Sequence, residues 1–365
     1  MSDNAVRFAP AAESPFAVEV KRDVGRYFQE RGLSDKGNLA MWVRGLIMLA
    51  LIFVPWGLVL AGVLTGWAAF AACIVMGVGV AGVGFCIGHD GQHGSFSERP
   101  AVNRFVGLAF DLMGANGYLW RLTHNRIHHT FTNLHGLDED IVVTPAVRLS
   151  PGSPRRAIHR FQHLTCWPLY ALATINWLVV KDIGFLFRKK LGPYTPPKFP
   201  RGLIPAVILT KLACITWSIV IPILVLQPTV LEFLAGFLAM HFTAGLILGI
   251  IFQLAHVVEM TAYPRADANG RLTDSWAEHQ MRTTANFSRG NRLLSWYCGG
   301  LNFQIEHHLF SSVCSLHYPD IAPIVEACAR RHGLPYHDSP HFWPAVASHM
   351  RLLKRLGAPG SPVIA

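Results

Sequence analysis

Residues 66–93 read GWAAFAACIVMGVGVAGVGFCIGHDGQH, and this stretch decides the fold. Its segment 66–88 carries no charged residue and exceeds the roughly 20 apolar residues that cross a bilayer core. His89 and His93 follow at once, four apart, a spacing that puts both rings on one face of a helix. Ionisable groups beside a membrane span are costly and mark chemistry by default. The stretch therefore predicts a transmembrane helix that ends in a ligand pair.

Three similar runs, at about 42–63, 205–226 and 230–255, bring the spans to four and the fold class to an all-α integral membrane protein. Pro55 and Pro222 fall inside spans, where neighbouring helices can satisfy the freed carbonyls. Lys211 lies near one end of the third span and is expected to snorkel to the interface. The composition agrees: 51% of residues are hydrophobic and 15% charged, against about 25% charged in soluble domains. Long uncharged runs exclude a large soluble core.

Of the 32 basic residues, essentially all lie in the N-terminal, middle and C-terminal segments or at span ends. The turns at 63–65 and 227–229 hold none. The positive-inside rule predicts all three segments, with both termini, in the cytoplasm; the expected location of this multi-pass chain is a bacterial inner membrane. The net charge of +10 is thus a topological signal; no basic stripe on a recognition element points to nucleic acid. Seven cysteines without a CxxC pair read as reduced, buried thiols.

The segments divide as 1–40, carrying the amphipathic stretch FAVEVKRDVGRYF and no visible cleavable signal peptide; 41–345, the main domain; and 346–365, a tail whose end, GAPGSPVIA, reads as disordered. A Pro-rich linker, 191–205, enters the third span. The apolar but interrupted stretches 101–120 and 161–187 read as interfacial helices around a narrow apolar tunnel.

Histidines gather in four places, all on the cytoplasmic side of this topology: HDGQH (His89, His93), HNRIHH (His124, His128, His129), LAHVVE (His256) and QIEHH (His307, His308). On a regular helix HxxHH places two rings on one face and a third beside it, suited to bridging toward a second metal. Eight imidazoles exceed what one ion uses, since structural zinc takes four ligands and catalytic zinc three plus water. Eight histidines with water or Gln304 suit two metals of four or five ligands each. Imidazole serves iron, copper, nickel and zinc, so the ligand count does not name the metal.

These boxes resemble the membrane fatty acid desaturases. The similarity extends to HHTFTNLHGLDED (128–140), EHQMRTTANF (278–287) and the stretch from HHLFSSVCSLHYPD onward (307–336). Glutamine at the head of the third box resembles the front-end, linoleoyl-CoA desaturase-like branch and its bacterial relatives. The resemblance implies oxygen-dependent desaturation of an acyl chain held as a CoA thioester or lipid. It also implies two irons, with O2 as co-substrate, on His89, His93, His124, His128, His129, His256, His307 and His308. Gln304 stands where many relatives have a ligating histidine, as a ligand or a water holder. Many front-end members carry a fused haem domain with an HPGG motif. This sequence has none, so a separate donor is expected, a ferredoxin or a cytochrome b5-like protein with its reductase.

Ring nitrogens that face away from a metal need acceptors. Asp90, Asp138, Asp140, Glu259 and Glu306 lie in or beside the boxes and are read as those acceptors. Asp138 and Asp140 have the alternative of capping a helix. His279 and His135 are read as possible supports, and His241, inside a span, as a hydrogen-bonded packing residue. His159, His163, His317, His332, His337, His341 and His349 are read as surface or packing residues. The rivals are a hydroxylase or ketolase on the same scaffold and a membrane metal transporter. Spans nearly free of polar groups disfavour the transporter, and QIEHHLF favours desaturation over hydroxylation.

Overall fold

The computed structural model describes residues 6–10, 14–142, 145–195 and 197–360. Parts of the N-terminal segment (1–5 and 11–13), Pro196 of the linker and the end of the tail (361–365) lie outside the described residues. Twelve helices are labelled here in chain order. They are α1 (Pro15–Arg31), α2 (Leu39–Leu60), α3 (Gly66–His93), α4 (117–131), α5 (Ala157–Ala171), α6 (Ala173–Phe187), α7 (Leu203–Leu226), α8 (Val230–His256), α9 (Trp276–Thr283), α10 (Gln304–Leu309), α11 (Tyr318–Arg331) and α12 (Phe342–Gly357).

Four of them, α2, α3, α7 and α8, are long and apolar enough to cross a membrane. The expected spans therefore stand, with one difference that matters. The second does not stop at residue 88 but continues through His93, so the first histidine pair rides on the spanning helix itself. Glycines let these helices close on one another, as small residues do in membrane bundles. A Cβ on Gly77 would lie 2.4 Å from the carbonyl oxygen of Met240 in α8, and one on Gly79 would lie 2.8 Å from Ile52 in α2. Short turns at 61–65 and 227–229 make two hairpins, so the start of α2, the end of α3, the start of α7 and the end of α8 share one end of the bundle.

A helical cap covers that end. Helix α1 starts on Ser14, whose hydroxyl accepts the Ala17 N–H, with Pro15 at its first position, and stops at Gly32 in the left-handed region at φ 58°. Its apolar stripe, Phe16, Val20 and Val24, is buried against Ile321, Val325 and Cys328 of α11. A two-stranded parallel sheet, β1 (Arg7–Ala9) with β2 (Arg271–Ser275), ties the N-terminal segment to the cap. Helix α12 begins before the boundary drawn at 346 and packs with Leu352, Leu353 and Leu356 into a core shared with Cys166 and Tyr170. The interrupted stretch 161–187 forms α5 and α6, bent by 62° with respect to each other. Phe161, Leu164, Val179 and Phe187 face outward from that pair.

Lys211 departs from expectation. It does not snorkel; it is buried, and its Nζ donates to Asp182 Oδ2 at 2.6 Å, to the Trp177 carbonyl at 2.7 Å and to the Gly114 carbonyl. Trp177 begins a segment of i→i+5 turns in α6, and Gly114 sits in the turn before α4 at φ 75°. Both places leave carbonyls without a helical partner, and the ammonium supplies one. Asp182 also accepts the Asn116 N–H at 2.8 Å. The lysine thus locks three irregular elements together instead of reaching for water.

Candidate metal centre

Three helices deliver the histidine boxes, and two of them leave α-helical register to do so. Residues Gly84–Gly88 of α3 and Leu122–His128 of α4 form π-type turns, a feature that concentrates at functional sites. In an i→i+5 turn, residues five apart meet on one face. His124 and His129 accordingly bring their Nε2 atoms to 3.3 Å. His128 turns instead to the end of α8, where its Nε2 lies 3.3 Å from that of His256. The i,i+4 spacing does bring the His124 and His128 rings together, stacked at 5.0 Å between centroids and grouped with Asp140, but their Nε2 atoms turn to different neighbours.

The eight histidines fall into connected groups. One ring nitrogen from each of His89, His93, His124 and His307 lies within 4.8 Å of the others; His128, His256 and His308 form a second such group. His129 makes a third with His307 and His308 and so stands between the two. All are buried except His93, which is partly exposed. Trp120 stacks on His124 at 4.3 Å between centroids and fixes its plane.

The outward nitrogens have acceptors, as metal-binding imidazoles require. His128 Nδ1 donates to Asp138 at 3.0 Å and His124 Nδ1 to Asp140 at 2.9 Å. Asp138 also accepts the backbone N–H groups of Asn133 and Asp140, so the turn that follows the box is built on the same carboxylate. His256 Nδ1 donates to the Thr283 carbonyl at 3.3 Å, and His308 Nδ1 to Gln280 Oε1 at 2.9 Å. His307 Nδ1 lies 3.1 Å from the Tyr318 hydroxyl. With these protons placed, the inward nitrogens hold lone pairs. The Nε2 atoms of His89, His93, His307 and His308, and Nδ1 of His129, are buried without a protein partner. Buried polar atoms are rarely left so. Converging lone pairs on neutral rings form a donor set that fits divalent transition metals.

Electrostatics keeps most of these rings neutral. Burial holds His129, His307 and His308 well below the ordinary histidine range. Burial also pulls His124 down to about 3, outweighing the upward pull of Asp140. His128 moves the other way. Burial lowers it, but the charge and hydrogen bond of Asp138 outweigh that and raise it.

The other expected acceptors divide. Asp90 lies 3.5 Å from His89 Nδ1, long for a hydrogen bond, and its firmer bonds are to the Ser315 N–H and hydroxyl, at 3.2 and 2.8 Å. Glu306 touches no histidine. Its oxygens accept the Tyr336 hydroxyl and the Asn286 amide, both at 2.8 Å, while Asn286 accepts the Ile305 N–H. It anchors α10 from behind, and burial pushes its carboxyl up to about 7. Glu259 is a correction: it forms ion pairs with Arg351 at 2.7 Å and Arg355 at 3.1 Å and stands apart from the cluster. Its neighbourhood with His256 in sequence is undone because α8 ends at His256 and the chain turns outward. His279 Nε2 donates to the Thr132 carbonyl, 2.8 Å away, and supports the second box. Gln304 is buried, and its Nε2 donates to the Leu301 carbonyl at 2.8 Å, so any bond to a cation would go through its oxygen. His241, as expected, is hydrogen-bonded, to Thr174 at 2.9 Å. His349 is no surface residue. It is buried between the Tyr170 hydroxyl and the Val257 carbonyl.

Gln280, Thr283 and Tyr318 carry no spacing signal and were not singled out by sequence. They belong to stretches noted only for their similarity. A cavity of about 270 Å³ opens beside His124, His128 and His256, between α5, α6 and α8. Leu169, Tyr170, Ala173, Trp177, Leu248 and Phe252 make its walls apolar, and Asp140 and Lys181 add charged groups to its lining.

Four apolar helices capped by a buried eight-histidine cluster define a membrane protein with a site suited to metal. Residues 65–340 match the family model described as fatty acid desaturase. The chain is 35% identical over 343 residues to the sn-1 linoleoyl-lipid 6-desaturase of Synechocystis sp., covering 94% of this chain and 95% of that one. It is also 35% identical to the sn-1 linoleoyl-lipid 6-desaturase of Arthrospira platensis (93% and 92% covered) and 32% identical to the acyl-lipid (8-3)-desaturase of Physcomitrium patens (96% and 74%). The chain belongs to the fatty acid desaturase family and is an oxidoreductase that desaturates fatty acyl chains.

Proposed function

We propose that the protein introduces a double bond into an acyl chain carried on a membrane lipid, using O2, two irons and electrons from a separate donor protein. The observation that carries this is the gathering of eight histidines into two groups joined through His129, His307 and His308, beside an apolar cavity. The ligands are His89, His93, His124, His128, His129, His256, His307 and His308, with Gln304 completing the set directly or through water. Bound irons would supply the oxygen activation that no side chain can provide.

The chain's own residues do the rest. Asp138, Asp140, Gln280, Tyr318 and the Thr283 carbonyl fix ring planes and tautomers. The walls from Tyr170 to Phe252 hold methylenes beside His124 and His128 and exclude water. The cavity suits an apolar chain with its polar end toward Lys181. The lipid carrier follows from the relatives, which are acyl-lipid desaturases by name. The distribution of basic residues supports a cytoplasmic face for the cluster and both termini, in a bacterial inner membrane.

The test is expression in a host of defined lipids supplied with linoleoyl chains, followed by separation of lipid classes and location of new double bonds. A new double bond within chains still esterified to lipid is expected. Hydroxylated chains would assign the site to the hydroxylase chemistry of the same scaffold, and products confined to CoA thioesters would overturn the lipid carrier.

A further inference from the structure

The cytoplasmic cap carries a feature that the acyl site does not use. Strand β1 lies over the second histidine box: the Phe8 ring packs 5.2 Å from His279 and 6.1 Å from Phe131. Side chains alternate along a strand, so Arg7 points to the opposite, outer side. In the register of the sheet Arg7 pairs with Arg271. Two arginines are thus partners on neighbouring strands, both exposed, where like charges repel. Among the described residues no carboxylate forms an ion pair with either. Of the acids close by in sequence, Asp274 pairs with Arg282, Glu278 caps α9 and accepts from Ser14, and Asp267 accepts the backbone N–H groups of Asn269 and Arg271.

Immediately after β2 comes Trp276, partly exposed, whose indole N–H donates to the carbonyl of His129 at 2.8 Å. One hydrogen bond therefore connects the outer face of the cap to the histidine that stands between the two ligand groups.

We propose that the Arg7–Arg271 pair with Trp276 is the docking face and electron-entry contact for an acidic one-electron carrier protein. This rests on the reading that electrons come from a separate donor. Each turnover takes two hydrogens from the acyl chain and reduces O2 to two waters. Two electrons and two protons must come from outside. The carrier is oxidised in two one-electron steps, and solvent supplies the protons. An unpaired positive pair raises the encounter rate of a negative partner and orients it. Trp276 then gives a bonded path inward through the His129 carbonyl.

The experiment uses the full-length, metal-loaded protein in uncharged nanodiscs with an acidic [2Fe–2S] ferredoxin, its reductase and NADPH. Wild type should show a KM for ferredoxin that rises with salt. The double variant Arg7→Glu with Arg271→Glu should raise that KM on the order of tenfold and flatten its salt dependence, and lysine at both positions should restore it. Trp276→Phe keeps the ring but loses the N–H. It should slow reduction by ferredoxin at saturating carrier with KM unchanged. Anaerobic reduction by dithionite, then oxygen, should give the same single-turnover yield in every variant. That arm also separates the two ideas. Product from dithionite-reduced wild type keeps the metal-centre reading standing, whatever ferredoxin does. Failure of ferredoxin to reduce wild type, or equal KM and salt dependence in the charge-reversed variant, overturns the docking face. A change confined to binding of anionic vesicles assigns the arginines to lipid and overturns it as well. Unaltered reduction of Trp276→Phe removes the tryptophan from the path.

Discussion

The Nε2 atoms of His128 and His256 face each other across 3.3 Å, and each ring is committed at its other nitrogen, to Asp138 and to the Thr283 carbonyl. Nitrogens held that close need a proton or a metal cation between them, since two bare lone pairs would repel. His308 completes the same group. The geometry is therefore that of ligands held ready by their outer partners.

It follows that Asp138→Asn, which keeps the size of the side chain, should weaken metal retention about 10–100-fold. His128→Ala and His308→Ala should each lower the metal content from two per chain. Metal analysis after dialysis against a graded chelator reads both. Undiminished content in His128→Ala would remove that ligand from the assignment.

Gln304 separates a spacer from a working group. Its amide nitrogen is held by Leu301, which leaves the oxygen to meet a cation or water. Gln304→Ala should reduce turnover by roughly 10–100-fold while the protein still inserts in the membrane. Gln304→His should also impair it. Normal product yield from the alanine variant would put the residue outside the site.

The pH response of the apoprotein has a definite sign. His129, His307 and His308 are held well below the ordinary value, with His124 at about 3 and His279 and His349 at about 4, in each case chiefly by burial. Between those values and the unfolded value of about 6.5, the unfolded chain binds more protons. Stability therefore rises with pH across that window and falls as pH drops below about 6.5. His128 and Glu306, both raised, oppose this and are outnumbered. Metal retention should fall in the same direction, since protons compete for the rings. Thermal midpoints of apoprotein in detergent at pH 5 and pH 7.5 check it; equal midpoints would contradict the burial argument.

Lys211→Met should destabilise the fold by about 3–5 kcal/mol, because Asp182 is left buried without its partner. Adding Asp182→Asn should recover much of that loss. The test is unfolding in mixed detergent, and the informative outcome is the non-additivity. If the single and double variants are equally unstable, the pair is not the source of the effect.

The sequence by itself determined the four spans, the shared end of the bundle and the eight histidines. Each rests on a local property: length of apolar run, position of charge, spacing along a helix. Asp138 and Asp140 were legible as acids shortly after the box they serve, 10 residues from His128 and 16 from His124 respectively. Tertiary structure decided what depends on chain segments far apart in sequence. Gln280, Thr283 and Tyr318 reach histidines from helices that sequence spacing does not relate to the boxes. The π-type turn in α4 decided that the Nε2 atoms of His124 and His128 face different partners, because an extra residue per turn brings His129 rather than His128 to the Nε2 of His124. Lys211 turned inward because unpaired carbonyls at Gly114 and Trp177, invisible in the sequence, offered it more than the interface did. Glu259 fell away because the end of α8 turned it toward Arg351 and Arg355. Local physics selects which groups are present; which of them meet is set by packing.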